Sequence, residues 1–211
     1  MLDTYTPTDS SNSVRPWNKG RVTGQKPPLK PKEVWSIRVR LQMTDSTRDL
    51  ALFNLAIDSK LRGCDLVALR VADVFLAGKA RERTSIVQKK TGRPVQFELS
   101  TQTQDSTCAW VGERKLLQSD FLFPSRFRAK PNLSTRQYSR IVGRWVESIG
   151  LNPRDYGTHS LRRTKVALIY KKTGNLRAIQ LLLGHTKLES TVRYLGVEVD
   201  DALRISQDVE L

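Results

Sequence analysis

The chain holds only two histidines, His159 and His185, and both lie in its carboxyl-terminal third. Arg162 follows His159 by three positions, a spacing that puts both side chains on one face of a helix. His185 comes directly after Gly184 and the apolar run Leu181–Leu183, and Tyr194 lies on a short segment beginning near Leu188. These residue types suit a phosphodiester. A guanidinium grips two phosphate oxygens at once and keeps its charge throughout a reaction. An imidazole donates a hydrogen bond or moves a proton. A tyrosine hydroxyl, with an unperturbed pKa of about 10, becomes a nucleophile where cations favour the phenolate. Lys90, in the basic string Lys89-Lys90-Thr91-Gly92-Arg93, stands where a hairpin tip would carry a proton donor to a leaving oxygen. Each residue alone also has an ordinary reading: the tyrosine packs, the histidine caps a helix, the lysine solvates a turn.

Charge narrows the partner. The 211 residues carry 36 Lys and Arg against 21 Asp and Glu, a net charge of +15. Residues 126–177 alone contribute +11, whereas 49–125 contribute +2 and 178–211 contribute −3. Cations gathered in one block suit a surface that neutralises phosphates along a groove, the alternative being a solvated helix face. Two cysteines, Cys64 and Cys108, make neither a disulfide framework nor a Cys-rich zinc site. Neither Lys-Thr-Gly string has the glycine spacing of a phosphate-binding loop, and no acidic cluster suggests paired magnesium ions. No apolar run approaches the roughly 18 residues that span a bilayer. Met1–Ser13 is polar and lacks the layout of a secretory signal. The expectation is a soluble, cytoplasmic protein. Its partner is nucleic acid rather than membrane.

The elements that must position these groups are mostly helical. Residues 1–30 read as a flexible basic lead, rich in Ser, Thr, Pro, Gly and Lys. Helices are expected from Pro31, after a cap at Asp45 or Ser46, through Leu66–Leu69, and over about 101–117, 134–149, 158–172 and 175–183. Gly174 and Gly184 mark helix ends. Earlier in the chain, Asp73–Leu76, Thr84–Gln88 and Pro94–Leu99 are β-capable runs, the last two joined by the basic turn. The expected fold is α+β and mainly α, a helical domain over 31–211 with a small three-stranded antiparallel sheet.

Taken in order, the motifs resemble the catalytic domain of the tyrosine recombinase (phage integrase) family. They are Leu61-Arg62-Gly63-Cys64-Asp65, Gln88-Lys89-Lys90-Thr91-Gly92, Thr158-His159-Ser160-Leu161-Arg162-Arg163, Leu183-Gly184-His185-Thr186 and Thr191-Val192-Arg193-Tyr194. The likeness spans roughly residues 32–200. It implies that Tyr194 attacks a scissile phosphate of double-stranded DNA, leaving a 3′-phosphotyrosyl link and a free 5′-hydroxyl, without metal, nucleotide or other cofactor. Arg62 and Arg162 would hold the non-bridging oxygens. Lys90, with Lys89 as its competitor, would protonate the leaving oxygen. His159 would assist proton transfer, His185 would hydrogen-bond the phosphate, and Asp65 would orient the site.

Family members also carry a separate amino-terminal DNA-binding domain, whereas here some thirty residues precede the likeness. The expectation is a small catalytic domain that acts alone or with an accessory DNA-binding protein, its lead (Arg15, Lys19, Arg21, Lys26, Lys30) being a candidate grip on phosphates. The resemblance further implies self-association on DNA as a dimer or tetramer. The acidic tail 196–211, with Val197, Val199, Leu203 and Ile205, would pack on a neighbouring protomer or on its own domain. Two other functions fit the same motifs: a non-catalytic DNA-binding remnant, and a relaxing type IB topoisomerase.

Overall fold

A helix buried on nearly every side has to sit at the centre of its domain, and Thr47–Ser59 (α2) is such a helix. Its Asp49 and every residue from Ala51 to Ser59 are buried. A computed structural model describes residues 25–126 and 131–196. Residues 1–24, which hold most of the basic lead, and the tail 197–211 lie outside them. Around α2 pack Pro31–Met43 (α1), Thr101–Arg114 (α5) and Thr158–Thr173 (α7). Two very short helices, Gly63–Leu66 (α3) and Val71–Val74 (α4), follow α2. Thr135–Ser148 (α6) joins the same core, and Leu176–Leu183 (α8) and Leu188–Leu195 (α9) are the last helices among the described residues.

Local chemistry explains these boundaries. Ser46 precedes α2, as expected, but makes no side-chain cap bond, whereas Ser134 caps α6 by accepting the Gln137 N–H at 3.1 Å while Gln137 returns the contact. Along α6, Tyr138, Ile141, Val142, Trp145 and Val146 face the core and Arg136, Arg140 and Arg144 face solvent. Gly174 and Gly184 end α7 and α8 in the left-handed conformation.

The strands divide differently from the single three-stranded sheet expected. Phe75–Leu76 (β1) pairs with Lys79–Ala80 (β2), and Arg83–Val87 (β3) pairs with Pro94–Glu98 (β4), both antiparallel. The cause is local. Ala77 and Gly78 both adopt positive φ (49° and 80°), the backbone of a two-residue hairpin turn, so β1 folds back at once instead of lying beside β3.

A buried carboxylate ties the helices together. Asp58, near the end of α2, accepts hydrogen bonds from the Ser100 N–H (2.8 Å), the Ser100 hydroxyl (2.7 Å) and Thr103 (2.6 Å), and pairs with Lys165 at 2.5 Å. Burial alone would raise its pKa, but Lys165, Thr103 and Ser100 together hold it below the usual carboxylate value. The end of α2, the start of α5 and the middle of α7 are thereby locked in one arrangement.

The described end of the lead also packs. Leu29 is 2% exposed, and its N–H donates to Thr164 on α7 at 3.1 Å. Lys26, a candidate phosphate grip, instead donates its ammonium to the carbonyls of Arg154 (2.8 Å) and Tyr156 (2.7 Å).

Candidate active site

Where α2 stops, Lys60 turns the chain through a left-handed residue and releases Arg62 as the residue leading into α3. Asp65, one turn into α3 and 3% exposed, accepts the Lys89 N–H at 2.9 Å. This one carboxylate joins the Arg62 loop to the hairpin turn between β3 and β4. Lys90 is exposed at the tip of that turn. From α7, His159 projects outward while Arg162, one turn on and 3% exposed, donates to the Leu183 carbonyl at 3.0 Å. That carbonyl closes α8 just before Gly184.

Gly184 is required twice over. Its φ is +65°, and a Cβ there would lie 2.5 Å from Cγ2 of Val95 on β4, closer than real Cβ contacts come. The hairpin therefore presses directly on the α8 terminus. His185 then turns back toward α9. Its Nδ1 lies 3.2 Å from the Thr191 hydroxyl, and its ring meets Tyr194 edge-on at 5.5 Å and 85°. The Arg162 guanidinium lies 5.6 Å from the Tyr194 ring centroid.

The electrostatics follow from this crowding of cations in a half-buried cleft. Burial first, then Arg162 and Arg62, pushes His185 down to about 4. His159 is also lowered, by desolvation and then by Arg162, Arg163, Arg62 and Lys90. Both rings are therefore neutral at neutral pH. In the tautomer in which Thr191 donates to Nδ1, the His185 proton is on Nε2 and free to donate. Tyr194 departs from the sequence expectation. Arg162, Arg163 and Arg62 favour its phenolate, but burial outweighs them and pushes the hydroxyl up to about 12.

Buried polar atoms almost always find partners, so orphans are informative. Among the described residues, four buried side-chain atoms lack one: Asp65 Oδ2, Arg162 Nε, Tyr194 Oη and Arg81 Nε. Three of the four belong to this site. Together they offer an acceptor, a cationic donor and a hydroxyl with nothing yet to bind.

The structure thus gathers Arg62, His159, Arg162, His185 and Tyr194, with Asp65 beneath them and Lys90 on the rim. Gln88 was not singled out in sequence. It is 1% exposed, accepts from Arg62 and from Thr91 (3.1 Å), and donates to the Leu183 carbonyl at 3.4 Å. Alternation along β3 points Thr84, Ile86 and then Gln88 inward. A polar residue at an inward position was the available signal.

A family model described as the phage integrase family matches residues 29–200. The chain is 27% identical over 158 residues to the probable integrase/recombinase YoeC of Bacillus subtilis (strain 168), covering 75% of this chain and 82% of the relative. It is 30% identical over 152 residues to the tyrosine recombinase XerC of Erythrobacter litoralis (strain HTCC2594), covering 72% of this chain and 47% of that protein. The chain thus spans about half the length of that XerC relative. Among solved structures, the XerA recombinase superposes with a TM-score of 0.71 at 17% identity, covering 90% of this chain and 66% of that one. The XerH recombinase bound to its difH substrate superposes with a TM-score of 0.68 at 20% identity, covering 87% and 55%. At such identities these two structures speak for the fold.

Proposed function

The chain belongs to the phage integrase family, and from that premise we propose that it is a site-specific DNA recombinase that cuts and rejoins strands through Tyr194. The observation that carries this reading is the set of orphaned polar atoms. Arg162 Nε and Tyr194 Oη stand unpaired among the cations of a single cleft. A phosphodiester would supply oxygens for the guanidinium and an electrophile for the hydroxyl.

In the proposed step the Tyr194 oxygen bonds to the scissile phosphorus while the bond to the 5′ oxygen breaks. The product is a 3′-phosphotyrosyl link and a free 5′-hydroxyl. The tyrosine proton passes toward His159, whose ring is neutral and so able to accept it. Lys90 delivers a proton to the departing oxygen. Arg62 and Arg162 neutralise the non-bridging oxygens as charge builds in the pentavalent state, and His185 donates from Nε2. Asp65 and Gln88 touch no phosphate in this scheme; they hold Lys89 and Arg62 in place. Because the Tyr194 hydroxyl is buried, it would come into use only when DNA binding brings it onto the phosphate. The high pKa of the hydroxyl fits such a resting state.

Double-stranded DNA is the proposed substrate, with self-association on it. The similar fold of XerH, solved bound to its difH substrate, supports DNA as the substrate. No helix among the described residues is long and apolar enough to cross a membrane, and we place the protein in the bacterial cytoplasm. The test is incubation with a nicked suicide duplex, followed by denaturing electrophoresis. A covalent protein–DNA adduct is expected from the parent and none from Tyr194→Phe. An adduct that persists in Tyr194→Phe would overturn the nucleophile assignment.

A further inference from the structure

Arg163 follows Arg162, is 6% exposed, and has no role in the scheme above. A buried guanidinium is costly to desolvate unless its charge is used, and among the described residues no carboxylate pairs with it. What faces it is the Tyr194 ring. The Arg163 guanidinium carbon lies 5.4 Å from the ring centroid, marginally closer than that of Arg162. Both are within the roughly 6 Å at which a cation is attracted to an aromatic face. At the end of α9, a Cβ built on Gly196 would lie 3.7 Å from Arg163 Nη2, so the guanidinium reaches under the carboxyl terminus of the tyrosine's helix.

Arg163 is itself held from the amino-terminal side. Its Nη1 donates to the Lys26 carbonyl at 2.7 Å. Lys26 is pinned by its ammonium to the Arg154 and Tyr156 carbonyls, and Leu29 by its N–H to Thr164. One residue earlier, the Gln25 amide donates to the carbonyl of Arg193, the neighbour of Tyr194. Segment 25–29 therefore touches both α7 and α9 and fixes the arginine between them.

We propose that Arg163 is a positioning residue for the nucleophile, a second guanidinium anchored by segment 25–29 that holds the Tyr194 ring and stabilises its phenolate as the proton leaves. This rests on Tyr194 being the nucleophile. A phenolate spreads its charge over the ring, so a cation near the ring is worth more in the reacting state than in the resting one. The other groups around that ring are Arg162 and Arg62, both cationic, and the neutral His185. Arg162 and Arg62 are needed by the phosphate, which leaves Arg163 to serve the tyrosine.

The test uses the full chain and single-turnover adduct formation on the suicide duplex. Arg163→Gln should slow the adduct about tenfold to a hundredfold, with duplex affinity unchanged. Arg163→Lys should recover part of that loss, and Lys26→Met, which frees the anchor, should slow the reaction by a smaller factor. The decisive readout is 3,5-difluorotyrosine in place of Tyr194, whose phenol ionises more readily. It should shrink the deficit of Arg163→Gln, because less help is needed to form the phenolate. A deficit of the same size with either tyrosine would mean a purely structural role and would overturn the proposal. So would parental rates in Arg163→Gln, or in Lys26→Met should Arg163→Gln fail to fold. An adduct formed by Tyr194→Phe would instead remove the reading beneath it. No adduct in Tyr194→Phe with parental rates in Arg163→Gln would sink this inference alone.

Discussion

The body built on α2 and the layer made by α8 and α9 are held together very differently. Helix α2 buries ten of its residues, among them Leu52, Phe53 and Leu55. Helix α9 buries one, Thr191, and the core beneath it consists of Val166, Ile179 and Leu183 with partly buried Tyr194 and Leu195. The division follows the chemistry. Arg62, Asp65 and Arg162 are set in or on the thick core, while His185 and Tyr194 ride on the thin one. A phosphate grip gains from rigidity, because preorganised charges need no rearrangement as the reaction proceeds. A nucleophile that begins with its hydroxyl buried and unpartnered has to be able to move, and few buried contacts make movement cheap.

The largest expected effect comes from the residue that bridges the two regions. Arg162 stands on α7 and donates to the last carbonyl of α8. Arg162→Ala should reduce adduct formation by about a thousandfold or more. Its thermal stability should fall by only about 1–3 kcal/mol, the cost of losing a charged donor to a carbonyl that Gln88 still reaches. Equal losses in both measurements would mean that the arginine merely joins layers.

Next come the cores themselves. Phe53 is fully buried and packs edge-on against Trp145 at 5.4 Å. Phe53→Ala should cost about 3–5 kcal/mol of global stability. Ile179→Ala should instead loosen α8 and α9, raising their amide hydrogen exchange while α2 stays protected. If exchange rises equally in α2, the two cores unfold as one and the contrast fails.

Much of this division was legible in sequence, and the gaps have physical reasons. Helices α5 to α8 emerge within a few residues of expectation; α6 and α8 have a strongly one-sided apolar pattern, and Gly174 and Gly184 end α7 and α8. The two histidines could be named because the chain has no others, whereas Arg62, Arg162, Lys90, Asp65 and Tyr194 were picked out by the order of the family motifs. Gln88 and Arg163 could not, since their meaning lies in contacts across the fold: Gln88 reaches Arg62 from 26 positions away, and Arg163 reaches Lys26 from 137. The divided sheet turned on two positive φ angles at Ala77 and Gly78, which composition does not specify. The raised pKa of Tyr194 was equally hidden. Counting nearby cations predicts a lowered value, and only the burial of the hydroxyl reverses the sign.

Gly184 is where the hairpin presses on the thin layer, and it offers the next sharpest probe. Gly184→Ala sets a Cβ against Val95 and strains a left-handed residue, for an expected loss of about 2–4 kcal/mol. Val95→Ala in the same chain should return the part due to the clash and leave the part due to φ. A double variant no better than the single would assign the whole cost to the backbone.

The smallest effect separates the two regions by pH. In the unfolded chain His185 takes up a proton near its ordinary value of 6.5, whereas in the fold it resists until about 4. Between those values the unfolded state binds more protons, so stability falls as pH falls. The expected loss at pH 5 is ~1–2 kcal/mol, allowing for solvent screening of a partly exposed ring. His159, also lowered, acts in the same direction. Asp58, which locks the body, is held below the ordinary carboxylate value, so its contribution persists until the pH drops below about 4. Tyr194 works from the other end: its proton is retained in the fold up to about 12, so stability is lost as pH rises above about 10. Hydrogen exchange at pH 5 should therefore show α8 and α9 loosened while α2 keeps its protection. His185→Gln, which removes the main titrating ring, should lose most of that pH dependence. If α2 and α9 lose protection together at pH 5, the thin layer is not an independent unit, and the mobility assigned to the nucleophile would have to come from DNA binding alone.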